Sequence, residues 1–319
     1  MIIPKRISLA QVPTPLQGIK FEGKFFLIKR DDLTGCELSG NKVRKLEYIL
    51  EEAKRKKADL IFTCGGEQSN HTRATTIAAK KIGLKTKLFL WGKENSNVNG
   101  NLFLNKMYGA DIKYLNKGQY DTANEIMFEE RKSLLKKKKN AYVLPEGGST
   151  TLGIWGYIAF IDELKKQVDL NTIDSIIAAS GSGGTAAGML VGAALNKLNL
   201  KIVAVNVLYD KDEIKKKILQ LAEGCVLDYK LKCKINPENL IILDGYSKEG
   251  YKNINQSKIK LIKKFAAETG ILFDPAYTGK AFTAYYENYL KTGKGKKNIF
   301  IHTGGLFGIF GRTKEYLSN

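Results

Sequence analysis

Short apolar runs of β type alternate with amphipathic helical stretches along most of this 319-residue chain, and that alternation restricts the fold more than any other feature. The runs are ADLIFTC (58–64), KTKLFLW (85–91), DIKYL (111–115), AYVLP (141–145), DSIIAA (174–179), KIVAVNV (201–207), NLIIL (239–243) and NIFIHT (298–303). Between them stand helical patterns such as NHTRATTIAAKKIG, DTANEIMFEERKSLLKK, TLGIWGYIAFIDELKKQ, GTAAGMLVGAALNKL and SKIKLIKKFAAETG. A strand that is apolar on both faces must be covered on both, which parallel strands joined by helical crossovers achieve. The class expected is α/β, with two domains of open, mostly parallel twisted sheets flanked by helices. Soft boundaries lie near residue 45 and at PEGGST (145–150). They predict a smaller three- or four-stranded domain over 45–150, inserted into a larger one made of 1–44 and 151–319, with a ligand cleft between them.

Several function classes fall away on composition. No run nears the ~20 apolar residues of a membrane span, and the N-terminus has no apolar block of signal-peptide length. A cytoplasmic location without a membrane partner is expected. Cysteines 36, 64, 225 and 233 show no CxxC spacing and read as free thiols. With His71 and His302 the only histidines, no metal site is expected. The net charge of +20, from 52 basic and 32 acidic residues, invites a nucleic-acid reading. The lysines are spread along helical faces, however, with no aromatic-interleaved basic strand, so nucleic acid is not an expected partner.

The informative residues follow strands. DSIIAA runs into SGSGGTAAG (180–188), where Gly181, Gly183 and Gly184 admit close backbone approach and the amides, with Ser182 and Thr185, favour a phosphate. A dinucleotide, and with it a nicotinamide-dependent oxidoreductase, fits poorly: the next strand ends Asn206-Val207-Leu208 and the first acid is Asp210. ADLIFTC ends in GGEQSNHTR (65–73), with Ser69, Asn70, His71 and Thr72 at a helix start, a set suited to a carboxylate. Tyr277 and Thr278 in FDPAYTGKAF (273–282), and Thr303 in HTGG (302–305), add polar tips at the same end of the sheet.

SGNKVRKLEYIL (39–50) supplies a candidate lysine, which on this stretch alone reads as a snorkelling side chain. Val43, Leu46, Ile49, Leu50 and Ala53 form one helical stripe, and Lys42 falls inside it. A lysine there is unusual, because buried lysine needs a partner. Arg44 points away and Lys45 sits at the margin, so both read as surface charge paired with Glu47 and with Glu51 or Glu52. A lysine, a phosphate cradle and oriented polar groups together describe a site for pyridoxal phosphate.

The order TPL (14–16), IKRDDLTG (28–35), GNKVRKLE (40–47), QSNHTR (68–73), EGGS (146–149), SGSGGTAAG (180–188), DPAYTGKA (274–281) and IHTGG (301–305) resembles fold type II pyridoxal-phosphate enzymes. Within them it is most similar to the D-cysteine desulfhydrase and aminocyclopropane-carboxylate deaminase family. The resemblance implies that Lys42 bonds the cofactor aldehyde, Asn70 its phenolic oxygen, and Gly181 to Thr185 its phosphate. It makes Lys42, Ser69 and Tyr277 catalytic, and places Ser69, Asn70, His71, Tyr277 and Thr303 around the substrate. Thr278 faces the pyridine nitrogen, where ring-opening deaminases carry a glutamate, and Thr303 stands where they carry leucine. Both choices resemble the desulfhydrase branch. The implied reaction is β-elimination from D-cysteine, with cyclopropane ring opening, or elimination from L-cysteate or D-serine, as alternatives. A homodimer is implied as well. Glu67, at a position often apolar, and Ala276, at one often valine, depart from the pattern.

Overall fold

The computed structural model describes residues 2–94, 96–250 and 253–317. Two sheets organise them. In the larger, β1 (Leu16–Phe21) and β2 (Lys24–Lys29) form an antiparallel hairpin. It turns at Glu22 and Gly23, both with positive φ, as the twist of a two-residue hairpin requires. Beside β2 lie, all parallel, β10 (Asn298–Ile301), β7 (Ser175–Ser180), β8 (Lys201–Asn206) and β9 (Leu240–Leu243), in the order β1-β2-β10-β7-β8-β9. The second sheet is parallel throughout, with order β5-β4-β3-β6. Its strands are β3 (Leu60–Gly66), β4 (Lys85–Trp91), β5 (Asp111–Leu115) and β6 (Ala141–Val143). The α/β class with mostly parallel sheets is as expected; the β1–β2 hairpin is an addition to it.

The apolar runs are continuous because alternate residues feed different cores. Ile176, Ala178, Ile202, Ala204, Ile299 and Ile301 join one buried cluster, while Ile177, Ala179, Val203, Val205 and Phe300 join another. Successive side chains of a strand point to opposite faces, so the large sheet is covered on both. No helix of the described residues is long and apolar enough to cross a membrane.

Helix α1 (Lys42–Arg55) buries Val43, Leu46, Ile49, Leu50 and Ala53, the stripe read from the sequence. Arg44 and Lys45 are buried too, at 3% and 1% exposure, which corrects the reading of both as surface charge. The reason is that α1 is packed between α2 (Asn70–Lys81) and the helix Trp155–Leu164. Gly156 allows that closeness: a Cβ there would lie 2.4 Å from the Arg44 carbonyl. Arg44 donates to both carboxylate oxygens of Asp31, at 2.9 and 2.8 Å, and to both of Glu163, at 2.8 and 3.0 Å. Lys29 completes this buried quartet at 2.6 Å from Glu163. Glu47 instead takes the amides of Leu9 and Ala10 and the guanidinium of Arg6, while Glu52 pairs with Lys56.

Candidate active site

Two helix N-termini face one cavity. α2 follows β3 directly, and Ser69 caps it by accepting from the Thr72 amide at 3.3 Å. The helix Gly184–Leu195 follows β7 through Gly183, at φ 82°. Around the cavity stand Lys42, Ser69, Asn70, His71, Gly181, Ser182, Gly183, Gly184, Thr185, Tyr277 and Thr303, joined by Asn41, Lys45, Glu146 and Ser180. Of the site residues read from the sequence, Thr72, whose hydroxyl donates to Ser69 O at 3.0 Å, does not border it, and neither does Thr278. Its hydroxyl is fully buried and bonded to the Asp274 carboxylate. That carboxylate also accepts the amides of Ala276, Tyr277 and Thr278, at 3.0, 2.9 and 2.8 Å, and so fixes the turn that carries Tyr277. Glu67 and Ala276 line a neighbouring cavity of about 290 Å³, which shares Asn70 with the first.

Lys42 begins α1 and is partly buried. Its Nζ donates to Asn41 Oδ1 at 3.1 Å and lies 5.9 Å from the Tyr277 ring centre. Asn41 in turn donates to Thr185 Oγ1 at 3.0 Å, tying the lysine to the glycine loop. Burial pushes the Lys42 amine down to about 8, against the carboxylates of Glu146 and Asp274, which raise it.

Lys45 is the residue that sequence reasoning missed. It lies three positions after Lys42 and hence on the same helical face, so the spacing itself was a usable signal. Its Nζ donates to Gly147 O at 3.2 Å and Ser149 Oγ at 3.3 Å. Ser149 Oγ also accepts the Gly184 amide at 3.2 Å and lies 2.8 Å from Ser182 Oγ. A Cβ on Gly184 would lie 2.5 Å from Ser149 Oγ and 2.8 Å from Lys45 Nζ, so only glycine leaves this pocket of donors open. Burial, and then the charge of Lys42, hold the Lys45 amine well below its ordinary value. Ser180 Oγ is buried with no hydrogen-bond partner among the described residues. A lysine amine, hydroxyls and helix-start amides, with a spare buried hydroxyl, form a donor set that fits a phosphate dianion.

His71 is neutral: burial, then Lys42 and Lys45, keep its pKa well below the ordinary value. Thr63 Oγ1 lies 2.8 Å from His71 Nε2 and donates its own hydrogen to Leu144 O at 2.8 Å, so the proton of His71 sits on Nε2. Nδ1 is a buried acceptor without a hydrogen-bond partner among the described residues. Glu146, unassigned from the sequence, has its pKa raised from the ordinary value by burial, against the lowering effect of Tyr120 and Lys42.

A lysine with a depressed amine between two helix N-termini, one of them a phosphate cradle, defines the class, and the chain belongs to the family described as pyridoxal-phosphate dependent enzymes, whose model matches residues 7–304. Its cofactor is pyridoxal 5'-phosphate and its architecture is fold type II. The chain is 39% identical over 316 residues to a Thermotoga maritima protein provisionally named 1-aminocyclopropane-1-carboxylate deaminase, covering 97% of this chain and 99% of that one. It is 36% identical over 330 residues to the bifunctional D-cysteine desulfhydrase/1-aminocyclopropane-1-carboxylate deaminase, mitochondrial, of Arabidopsis thaliana, covering 98% and 80%. The crystal structure of an ACC deaminase homologue, 34% identical, superposes with a TM-score of 0.89 over 98% of this chain and 96% of that one.

Proposed function

We propose that the protein catalyses β-elimination on a small amino acid, D-cysteine first, giving pyruvate, sulfide and ammonia with uptake of one water. Thr278 carries the choice of reaction: the resemblance assigns it the position where ring opening calls for a carboxylate, and here that position holds a hydroxyl buried behind the cavity and bonded to Asp274. When bound, the cofactor supplies an electron sink for bonds broken at the substrate's α-carbon.

The residues do the rest. Lys45, Ser149 and the amides of Gly181 to Thr185 hold the phosphate, and Asn70 holds the phenolic oxygen. Ser69 and the first amides of α2 bind the substrate carboxylate. Lys42, with an amine at about 8, has a neutral fraction near pH 7 to 8 and removes the α-proton. Departure of sulfide breaks the Cβ–S bond. Tyr277 and Thr303 face the substrate side chain, and His71 Nδ1 accepts a hydrogen bond from the substrate or from Lys42. Residues 45–150 act as a smaller domain against 1–44 and 151–319; the first of these boundaries passes through α1, which makes that helix their shared wall. The working unit is a cytoplasmic homodimer.

Opening of the cyclopropane ring is the second reading, favoured by the name of the Thermotoga relative. Purified protein should show an absorbance band near ~410–430 nm that borohydride abolishes, as a lysine-bound cofactor does. Release of pyruvate and sulfide from D-cysteine is then compared with D-serine, L-cysteine, L-cysteate and the cyclopropane amino acid. Ketobutyrate from the last without sulfide from the first reverses the choice.

A further inference from the structure

Asn70 borders the cavity but does not choose its own orientation. A terminal amide has nearly the same shape either way round, yet one face donates and the other accepts. At Asn70 the choice decides whether the cavity meets an N–H₂ group or a carbonyl oxygen. The groups behind it settle the matter. Arg73, 1% exposed, donates from Nε to Asn101 Oδ1 at 3.0 Å, and a guanidinium can only donate. On its other side Asn101, fully buried, donates from Nδ2 to the Gln68 backbone carbonyl at 2.8 Å, and a carbonyl can only accept. Asn101 is therefore fixed at both ends. Its second Nδ2 hydrogen goes to Asn70 Oδ1 at 3.0 Å. Asn70 Nδ2 makes no hydrogen bond among the described residues, and it is the end left for the cavity.

Arg73 is itself pinned. It donates from Nη2 to Ser39 O at 2.8 Å and from Nη1 to Glu37 O, in the loop just before Lys42. The Asn101 amide donates to Gln68 Oε1 at 2.9 Å, which anchors α3 (Gly100–Met107) to the turn before α2. The chain of bonds thus starts next to the lysine and ends at the residue beside it in the cavity.

We infer that Arg73 and Asn101 are positioning residues that set the polarity of Asn70, so that its N–H₂ group meets the cofactor's phenolic oxygen. This rests on the proposed function. A donor at that oxygen favours its anionic form, and a carbonyl oxygen disfavours it. One hydrogen bond to a charged oxygen is worth ~1.5 kcal/mol or more, about tenfold.

The test uses the cofactor-loaded protein. Asn101→Asp keeps an acceptor for Arg73 but removes the hydrogen that Asn70 Oδ1 requires, so Asn70 turns and presents its oxygen to the cavity. The ratio of the ~330 nm to the ~420 nm band at neutral pH should rise by about tenfold, and the affinity for pyridoxal phosphate should fall by a similar factor. Asn101→Ala frees Asn70 to take both orientations and should shift the ratio the same way by less, which provides a reading even where the aspartate variant does not fold. The distinguishing result is the double variant with Asn70→Ala: its band ratio should match that of Asn70→Ala alone, because the effect passes through Asn70. Unchanged ratios in both Asn101 variants, or additive shifts in the cycle, overturn the inference. Absence of any borohydride-sensitive band from the unsubstituted protein overturns the function instead, so the two failures are distinct.

Discussion

Replacing Arg44 with alanine should be among the most damaging single changes in the chain. The buried quartet holds two cations, Lys29 and Arg44, and two carboxylates, Asp31 and Glu163, and so is neutral as a whole. Asp31 is completely buried, and without Arg44 it keeps only the hydroxyls of Thr14 at 2.8 Å and Tyr157 at 2.6 Å. Breaking a buried ion pair from one side costs ~3–5 kcal/mol, because a charge is left without its partner. Glu163 points the same way, through a shift that Arg44 and Lys29 share. Burial works against its charge, but the hydrogen bonds and charges of Arg44 and Lys29 hold its pKa at about 2, against an ordinary 4.5. At 1.36 kcal/mol per pKa unit that is ~3 kcal/mol. A depressed carboxylate stabilises the fold above its unfolded pKa and loses that contribution as pH falls towards its folded one. Thermal melts at pH 7 should therefore show a fall of roughly 6–10 °C, at ~2 °C per kcal/mol for a chain of this size. The gap between the variant and the parent should narrow between pH 4.5 and 2. Arg44→Lys should fall in between, since one ammonium cannot serve two carboxylates through four bonds. A loss within the ~0.5 kcal/mol of an ordinary surface position, or a gap unchanged at pH 3, would refute the reasoning.

Lys42→Ala should remove the borohydride-sensitive band and all turnover; retention of the band with loss in Lys45→Ala would exchange the two roles. Lys45→Met should weaken cofactor affinity by ~10–100-fold, the worth of a hydrogen bond to a charged group, without altering the melt of the cofactor-free protein. The rate at which cofactor-free protein captures pyridoxal phosphate should rise with pH through a midpoint near 8, because only the neutral Lys42 amine attacks an aldehyde; a midpoint near that of ordinary lysine, 10.5, would count against the burial argument. Gly184→Ala places a methyl group among Lys45 Nζ and Ser149 Oγ and should abolish cofactor retention while leaving secondary structure, followed by circular dichroism, intact.

Eight of the strands were legible as short runs of β type set between helical patterns, and β4 and β5 match their predicted limits. β1 and β2 were not, because they form a hairpin with no helical pattern between them to mark them out. LQGIKF and KFFLIK carry lysines and a glutamine among their apolar residues, as suits a hairpin at the sheet's margin, and a fully buried lysine, Lys29, closes β2. The glycine loop and the α2 start were readable as polar tips after strands. Arg44 and Lys45 were misread because a stripe of apolar residues assigns only one face of a helix, whereas the first turns of α1 are enclosed by neighbours on several sides. Nothing in a periodic pattern tells an enclosed cation from a solvated one; the carboxylates that answer Arg44, Asp31 and Glu163, stand 13 and 119 residues away. The Arg73–Asn101–Asn70 chain was hidden in the same way, since its middle member comes from a different helix.

The two helix starts at the cavity have one more consequence. Much of what draws an anion into this site is main chain: the amides that open α2 and the helix Gly184–Leu195 are present whatever side chains stand there, and they do not titrate. Side chains that border the cavity, such as Tyr277 and Thr303, can therefore be exchanged without removing those amides. The attraction for an anion belongs to the scaffold, and the side chains around it are left to set what else the cavity accepts.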